Sequence, residues 1–496
     1  MENKKEKSAE TDNSFRVSED LQPQCKDTDI SLYLKDLSEQ ISVNHVSEND
    51  RDIVCFLASN LRDLQGLGSE DNTAKQKTKA HILERLIDVI KKSDRFLWEN
   101  LIVIHVWTNS DWIEYDTEGL KHLIKITLRF LNVGEVYFHK PAEDMAKEII
   151  EELNHTPNKE FTPDYNYIRF TNGVLNLTSV ELEEPQKDIK PKFKISYDYD
   201  PLAQCPLFRQ TLEQALPQDT AMLYQEAIAN FFMPPKFEVI FIMYGNGHCG
   251  KSTLLEPIVP TLGEENVTSY TLGQITDKDG QVIANMRGKL ANIHFESSTT
   301  ELGNETLLKA YASHEPMKAK VLYKQPITTR NYPYSIVALN NMPATKDHSD
   351  GFYRRLKLIP FLRQIPYDKA NLDLKELLKT EKAGIMNWIL EGLKRLRENG
   401  KFTISQDGEK AFAKYRKESD VVAAFVEDME FVLSDTPKTL LSQLYARFSN
   451  WCKENGYKSM NKCNFSKGLR YLNFIVKKSG GNQKVWGEFA PDNAPF

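Results

Sequence analysis

Residues 245–252 read GNGHCGKS and fit G-x-x-x-x-G-K-[ST], a pattern that cradles nucleotide phosphates. No other stretch limits the fold as tightly, because such a loop works only between a buried strand and a helix. Gly245 and Gly250 are expected to supply backbone angles closed to other residues, so that successive N–H groups converge on phosphate oxygens. Asn246, Gly247, His248 and Cys249 complete the loop, Cys249 through its backbone rather than its sulfur, and Thr253 follows it. The pattern assigns Lys251 to the β/γ-phosphates and the Ser252 hydroxyl to magnesium. The context fits. Phe237 to Tyr244 (FEVIFIMY) is a short apolar, β-branched run of the kind a buried parallel strand needs. Thr253-Leu254-Leu255 opens a helix, and Pro257 follows so soon that an irregular start is expected. The fold class is therefore α/β.

Three further strands are predicted downstream. Leu290 to Phe295 ends in Glu296, an acid at a strand end beside the phosphate loop, where a metal ligand or water activator belongs. Ser335 to Leu339 ends in Asn340-Asn341 before Met342-Pro343, which reads either as a water-orienting amide or as an Asx turn. Arg354-Arg355 precedes the strand Leu356 to Phe361. The two arginines read as a surface pair or as including an arginine finger for a neighbouring subunit.

The flanks set bounds. A length of 496 residues predicts about three domains. The net charge of −6 is uneven: residues 1–50 hold 12 Asp/Glu against 6 Lys/Arg, whereas residues 438–496 hold 10 Lys/Arg against 3 Asp/Glu. The first stretch (1–48) is expected to be a disordered acidic tail, with a short helix over Ile30 to Leu37. The basic end points to a polyanion. Residues 49–160 read as mainly helical, with a hairpin between Leu101–Val106 and Trp112–Tyr115, and with Trp98, Trp107 and Trp112 in the core. Residues 161–235 hold an Asn172-Gly173 hairpin and a helical lead-in to Pro234-Pro235. The core spans 236–365, and a helical connector spans 366–432 with a helix over Val421 to Val432. Residues 433–496 read as helix, helix and a hairpin joined at Gly480-Gly481-Asn482, a winged-helix-like order. Six cysteines without a CxxC pair, no signal peptide and no run of about 18 apolar residues predict a cytoplasmic protein in a reducing compartment, with no membrane partner.

Taken in order, GNGHCGKST, LANIHFES, VALNNMP and GFYRRLKLIPF resemble the motor motifs of superfamily 3 helicases, AAA+ ring motors of small and mobile replicons, and most of all the phage/plasmid primase-helicase family that includes the poxviral primase-helicase. FTNGVLNL and YDPLAQCPLF upstream, and LYARFSNWCKENG downstream, extend the likeness over about 160–496. The resemblance implies an AAA+ P-loop NTPase core using ATP and Mg2+. Lys251 and Ser252 would bind phosphate and magnesium, Glu296 would be the Walker B acid and second metal residue, Asn340 the sensor, and Arg355, ahead of Arg354, the finger. Lys309 to Lys324 resembles the stretch that carries a pore-facing hairpin, which makes Lys318, Lys320 and Lys324 candidates to grip DNA phosphates. Two positions depart from the family pattern: Ser297 stands where a second acid is common, with Glu301 as a candidate helper, and Ser313-His314-Glu315 replaces a common Gly-Asp.

The expectation is an ATP-dependent DNA helicase of a phage, plasmid or integrated element, a homohexamer on single-stranded and forked DNA, with a separate primase as a candidate partner because no two-metal polymerase motif precedes the motor. Two rivals stand beside it. One is a replication initiator that binds an origin through the C-terminal module, and the other is a non-unwinding scaffold or defence ATPase.

Overall fold

A computed structural model describes residues 47–64, 72–99, 103–131, 140–297, 303–320, 326–343, 345, 347, 349–364, 373–457 and 459–489. The predicted acidic tail lies almost wholly outside them. The chain forms two units, one of residues up to 162 with 185–190, the other of 163–184 with 191 onward.

In the first unit, helices Glu48–Asn60, Asn72–Lys92, Thr117–Phe130 and Lys140–Asn154 accompany the antiparallel sheet β1 (Phe96–Glu99), β2 (Val103–Trp107) and β3 (Trp112–Tyr115). The predicted hairpin is β2–β3, with Trp107 opposite Trp112. Its turn closes where Thr108 N–H and Oγ both donate to the Asp111 carbonyl. Asp116 caps the next helix by accepting from Gly119 N–H, and Leu120, Leu123, Ile124 and Leu128 then repeat at helical spacing toward the core. Strand β1 was not expected.

The second unit opens with β4 (Asp164–Phe170), β5 (Gly173–Asn176), β6 (Glu181–Glu183) and β7 (Pro191–Lys194), in sheet order β6-β5-β4-β7. The Asn-Gly hairpin is β4–β5, with Phe170 opposite Gly173. Helices Pro206–Ala215 and Gln218–Ala229 lead to a five-stranded parallel sheet: β8 (Ile240–Tyr244), β9 (Val267–Thr268), β10 (Ala291–Ser297), β13 (Tyr334–Leu339) and β14 (Leu356–Pro360). Between its strands lies a separate hairpin of β11 (Met317–Ala319) and β12 (Ile327–Thr329). The sheet order is β14-β8-β13-β10-β9, so the loop-bearing strand is flanked by two strands that come later in the chain. β8 and β13 are buried on both faces, as continuous apolar runs require. Trp388, Ile389 and Leu393 of helix Lys382–Asn399 join the same core.

The C-terminal part corrects one element. The helix predicted to run to Val432 ends at Asp428, because Glu430 takes a left-handed φ of 45°. Phe431–Leu433 becomes β15, paired with β19 (Gly487–Phe489). Val422 and Phe425 of that helix sit in one apolar cluster with Leu444, Phe448, Phe465 and Val485, so the helix belongs to the terminal module rather than to the connector. Helices Leu441–Glu454 and Lys462–Tyr471 are followed by β17 (Val476–Ser479) and β18 (Asn482–Val485), with β16 (Thr439–Leu440) on the other side of β18. Among the described residues no helix is long and apolar enough to cross a membrane.

Candidate functional site

Strand register builds the site. Tyr244 at the end of β8 pairs with Leu339 at the end of β13, and Leu339 pairs with Ser297 at the end of β10. The phosphate-loop sequence, Asn340 and the backbone of Glu296 therefore meet at one edge, where the carboxyl ends of three adjacent parallel strands are level. That edge is where open α/β sheets bind ligands. A register shift between His294 and Ser297 marks the Glu296 segment as irregular. Burial holds the His294 imidazole, within 3.2 Å of Ser269 Oγ, below its usual pKa and so favours its neutral form.

Within the loop the two outer glycines do different jobs. Gly250 has a φ of 88°, as expected. Gly245 does not need a left-handed angle: a Cβ there would strike the Phe361 carbonyl oxygen, so it is held to glycine by close approach. The second left-handed residue is His248, at φ 59°. Asn246, Gly247 and His248 are exposed, whereas Cys249 is buried, its thiol donating to the Asn246 carbonyl at 2.9 Å. Helix Lys251–Leu255 follows, carrying Ser252 and Thr253 half-buried in its first turn. Glu256 and Pro257 form a turn between this helix and Ile258–Leu262, so the irregularity falls after Leu255 rather than at the helix start.

Lys251 is 6 % exposed, and its ammonium donates to the carbonyls of Gly245 (2.6 Å) and Asn246 (3.0 Å) and to Asn340 Oδ1 (2.9 Å). The lysine thus ties the loop to the amide at the end of β13. Carbonyl and amide oxygens around an ammonium are partners that phosphate oxygens can replace. The metal-binding candidates, the Ser252 hydroxyl and the Glu296 carboxylate, are hard oxygen donors of the type magnesium takes.

Arg355 lies elsewhere. Leu356 pairs with Ile240, so Arg355 is level with the start of β8, six residues from Gly245. At about 3.3 Å per residue this is ~20 Å along the strand, beyond the reach of its side chain to its own loop. Its guanidinium donates to Ser313 Oγ (2.9 and 2.8 Å) and to the Gly351 carbonyl, and pairs with Glu238 at 2.9 Å. Arg354 shares Glu238 at 3.0 Å but is 64 % exposed, against 12 % for Arg355. Glu238 was not singled out by sequence, and neither it nor Ser313 was expected to anchor the arginine. Ser313 is one of the residues replacing the expected Gly-Asp. The next, His314, is buried at a left-handed φ of 49°, stacked on Tyr332, and burial pushes its pKa down to about 4, so it is neutral.

Lys318 and Lys320 are exposed on and beside β11, with Lys318 opposite Thr328, while Lys324 and Glu301 lie outside the described residues. Lys320 N–H donates to the Gly280 carbonyl at 3.0 Å. Gly280 has φ 74°, and a Cβ there would strike the Lys318 carbonyl oxygen. The hairpin stem is thus docked on a glycine.

Fold and site together define a mixed α/β protein whose phosphate-loop sequence sits at the carboxyl edge of a parallel sheet. Family models narrow this. Residues 80–217 match "D5 N terminal like", residues 417–488 match "Poxvirus D5 protein-like", and residues 243–355 match a family of unknown function, DUF5906. Two separate parts of the chain are thus similar to D5-like primase-helicases. It is 26% identical over 260 residues to a putative helicase, L207/L206, of Acanthamoeba polyphaga mimivirus; the match covers 47% of this chain and 26% of that protein, so the chain spans about a quarter of the relative's length. Two structures of the NrS-1 C-terminal region cover 80% of this chain and 95% and 96% of theirs, at 12% and 13% identity and TM-scores of 0.42 and 0.38.

Proposed function

We propose that this chain is the motor of an ATP-dependent DNA helicase from a virus, phage, plasmid or integrated element, built on an AAA+ P-loop core and working as a homohexameric ring. The observation that carries the reading is the level alignment of three strand ends, with Lys251 held to Asn340 across the loop. Lys251 exchanges its carbonyl partners for β- and γ-phosphate oxygens of ATP, and loop N–H groups take the remaining oxygens. Ser252 and Glu296 would hold magnesium, which when bound neutralises charge on the phosphates. Glu296 orients the attacking water, and Asn340, already bonded to Lys251, senses the γ-phosphate. Arg355, ~20 Å along the strand from its own loop, serves a neighbour's nucleotide, which requires a closed head-to-tail ring. Lys318, Lys320 and Lys324 grip a single strand by its phosphates, an interaction that tolerates any sequence and weakens with salt.

Strand displacement on forked DNA tests this directly. Wild-type protein with Mg-ATP should separate the strands, a non-hydrolysable analogue should not support it, and Lys251→Ala should lower DNA-stimulated ATPase at least a hundredfold. ATPase that survives in Lys251→Ala would sink the proposal. ATPase without strand separation or DNA stimulation would favour a scaffold role. The initiator reading draws on the basic C-terminal end, and predicts loss of site-specific binding when residues 436–496 are removed.

A further inference from the structure

We infer that Ser313 is a latch on Arg355: its hydroxyl parks the guanidinium inside its own chain, and the motor reaches full rate only when a neighbour's nucleotide draws the arginine off. The inference rests on the reading of Arg355 as a finger, and it adds the group that restrains it. Exposure is the first observation. A side chain that must reach another subunit's phosphates needs its head at the surface, yet Arg355 is 12 % exposed where Arg354 beside it is 64 %. All three guanidinium nitrogens are occupied at home. Nε and Nη2 donate to Ser313 Oγ, Nη1 donates to the Gly351 carbonyl, and Nη2 also meets Glu238.

These holds are unequal. Glu238 is 45 % exposed and shared with Arg354, so water compensates much of its loss. The Gly351 carbonyl lies four residues ahead in the same segment and moves with the arginine. Ser313 belongs to a different and rigid part of the fold. It follows helix Glu305–Ala312, with its N–H bonded to the Lys309 carbonyl. His314 comes next at a left-handed φ of 49°, which a non-glycine residue adopts only when its surroundings hold it there. Here the imidazole stacks on Tyr332 at 5.0 Å, meets the edge of Tyr334 at 4.4 Å, and has Nε2 within 3.2 Å of the Tyr332 carbonyl. The Tyr332 hydroxyl closes the corner by donating to the Glu315 carbonyl at 2.6 Å. The serine hydroxyl is therefore fixed, and Arg355 can leave it only by turning its own side chain.

The exchange has a direction set by chemistry. Bonds from a guanidinium to a neutral hydroxyl are weaker than a charged fork on phosphate oxygens. With no phosphate in reach the arginine stays parked, and a nucleotide in a closed interface pulls it out. Ser313 is also among the residues that replace the expected Gly-Asp, so the contact comes from this chain's own residues rather than from the resemblance.

The test is ATPase per chain of the full chain at saturating Mg-ATP, with melting temperature measured in parallel. Ser313→Ala should raise the rate at least about threefold, less than a charged hydrogen bond can supply, while lowering the melting temperature. Ser313→Cys keeps the volume but accepts hydrogen bonds weakly, so it should move the rate the same way and covers a failure of Ser313→Ala to fold. Ser313→Thr keeps the hydroxyl and should behave as wild type. A serine with only a structural role gives the opposite sign, with rate falling alongside stability. Arg355→Ala separates the two readings. If it is folded and inactive, an unchanged or lower rate in the folded Ala and Cys variants overturns the latch and leaves the finger standing. If Arg355→Ala keeps wild-type ATPase, the finger falls and the latch with it.

Discussion

Arg355 shows what a single residue does in two settings. In this chain its guanidinium is anchored by Ser313, the Gly351 carbonyl and Glu238, whereas Arg354 reaches only Glu238 from an exposed position. Half of the shared Glu238 pair faces water, so it contributes at most about 1 kcal/mol. The partly buried hydrogen bonds to Ser313 matter more. Arg355→Ala should therefore lower unfolding free energy by about 1–3 kcal/mol and Arg354→Ala by less than about 0.5, read by chemical denaturation. Equal losses would mean that the anchor has no weight. The same residue marks the limit of sequence reading. GNGHCGKS was legible because its chemistry is local, eight consecutive residues whose spacing is the mechanism. Ser313 was visible only as a departure from a pattern, because its partner lies 42 residues away and nothing nearby predicts the meeting. Gly245 was read as a left-handed glycine for a related reason: the Phe361 carbonyl that actually excludes a side chain lies just past the end of β14, more than a hundred residues later.

Among elements, long apolar runs could be read and short strands could not. β8, β10, β13 and β14 were each recognisable from a run of buried aliphatic residues that needs no distant information. β9, with two residues, and β6, with three, are strands only because a neighbour pairs with them. The docking of the β11–β12 hairpin was equally silent. Asp279-Gly280 reads as a plain turn, yet Gly280 is where helix Gln281–Met286 begins and where the hairpin stem rests, through Lys320 N–H and the Lys318 carbonyl. Gly280→Ala meets two penalties at once, about 1–2 kcal/mol for the left-handed angle and a clash that pushes β11 aside. If the hairpin grips DNA, this variant should keep basal ATPase within about twofold and lose most of its DNA stimulation and unwinding, since the stem moves while the phosphate loop does not. Wild-type unwinding by folded Gly280→Ala would show that the stem's position is irrelevant to the motor.

For the whole molecule the question is whether one chain holds a complete site. Lys251, Asn340 and the Glu296 backbone share one edge of the sheet, and Arg355 starts a strand at the opposite edge. A side chain cannot close that gap, so an arginine that acts on ATP must come from another subunit. Complementation tests this. Lys251→Ala and Arg355→Ala proteins should each be nearly inactive alone, because every interface lacks one component. Mixed one to one before ring assembly, they create interfaces in which an intact loop from the Arg355→Ala chain faces an intact arginine from the Lys251→Ala chain. With random assembly such interfaces are about one quarter of the total, so ATPase should recover to at most about a quarter of wild type. The mixture also answers the stability problem at Arg355. A chain unfolded by loss of the anchor would bring no working loop to any interface, and mixing would restore nothing. Recovery therefore requires that Arg355→Ala is folded and that the arginine works across the interface; an inactive mixture of two proteins shown separately to be folded and assembled would place the arginine's role within its own chain.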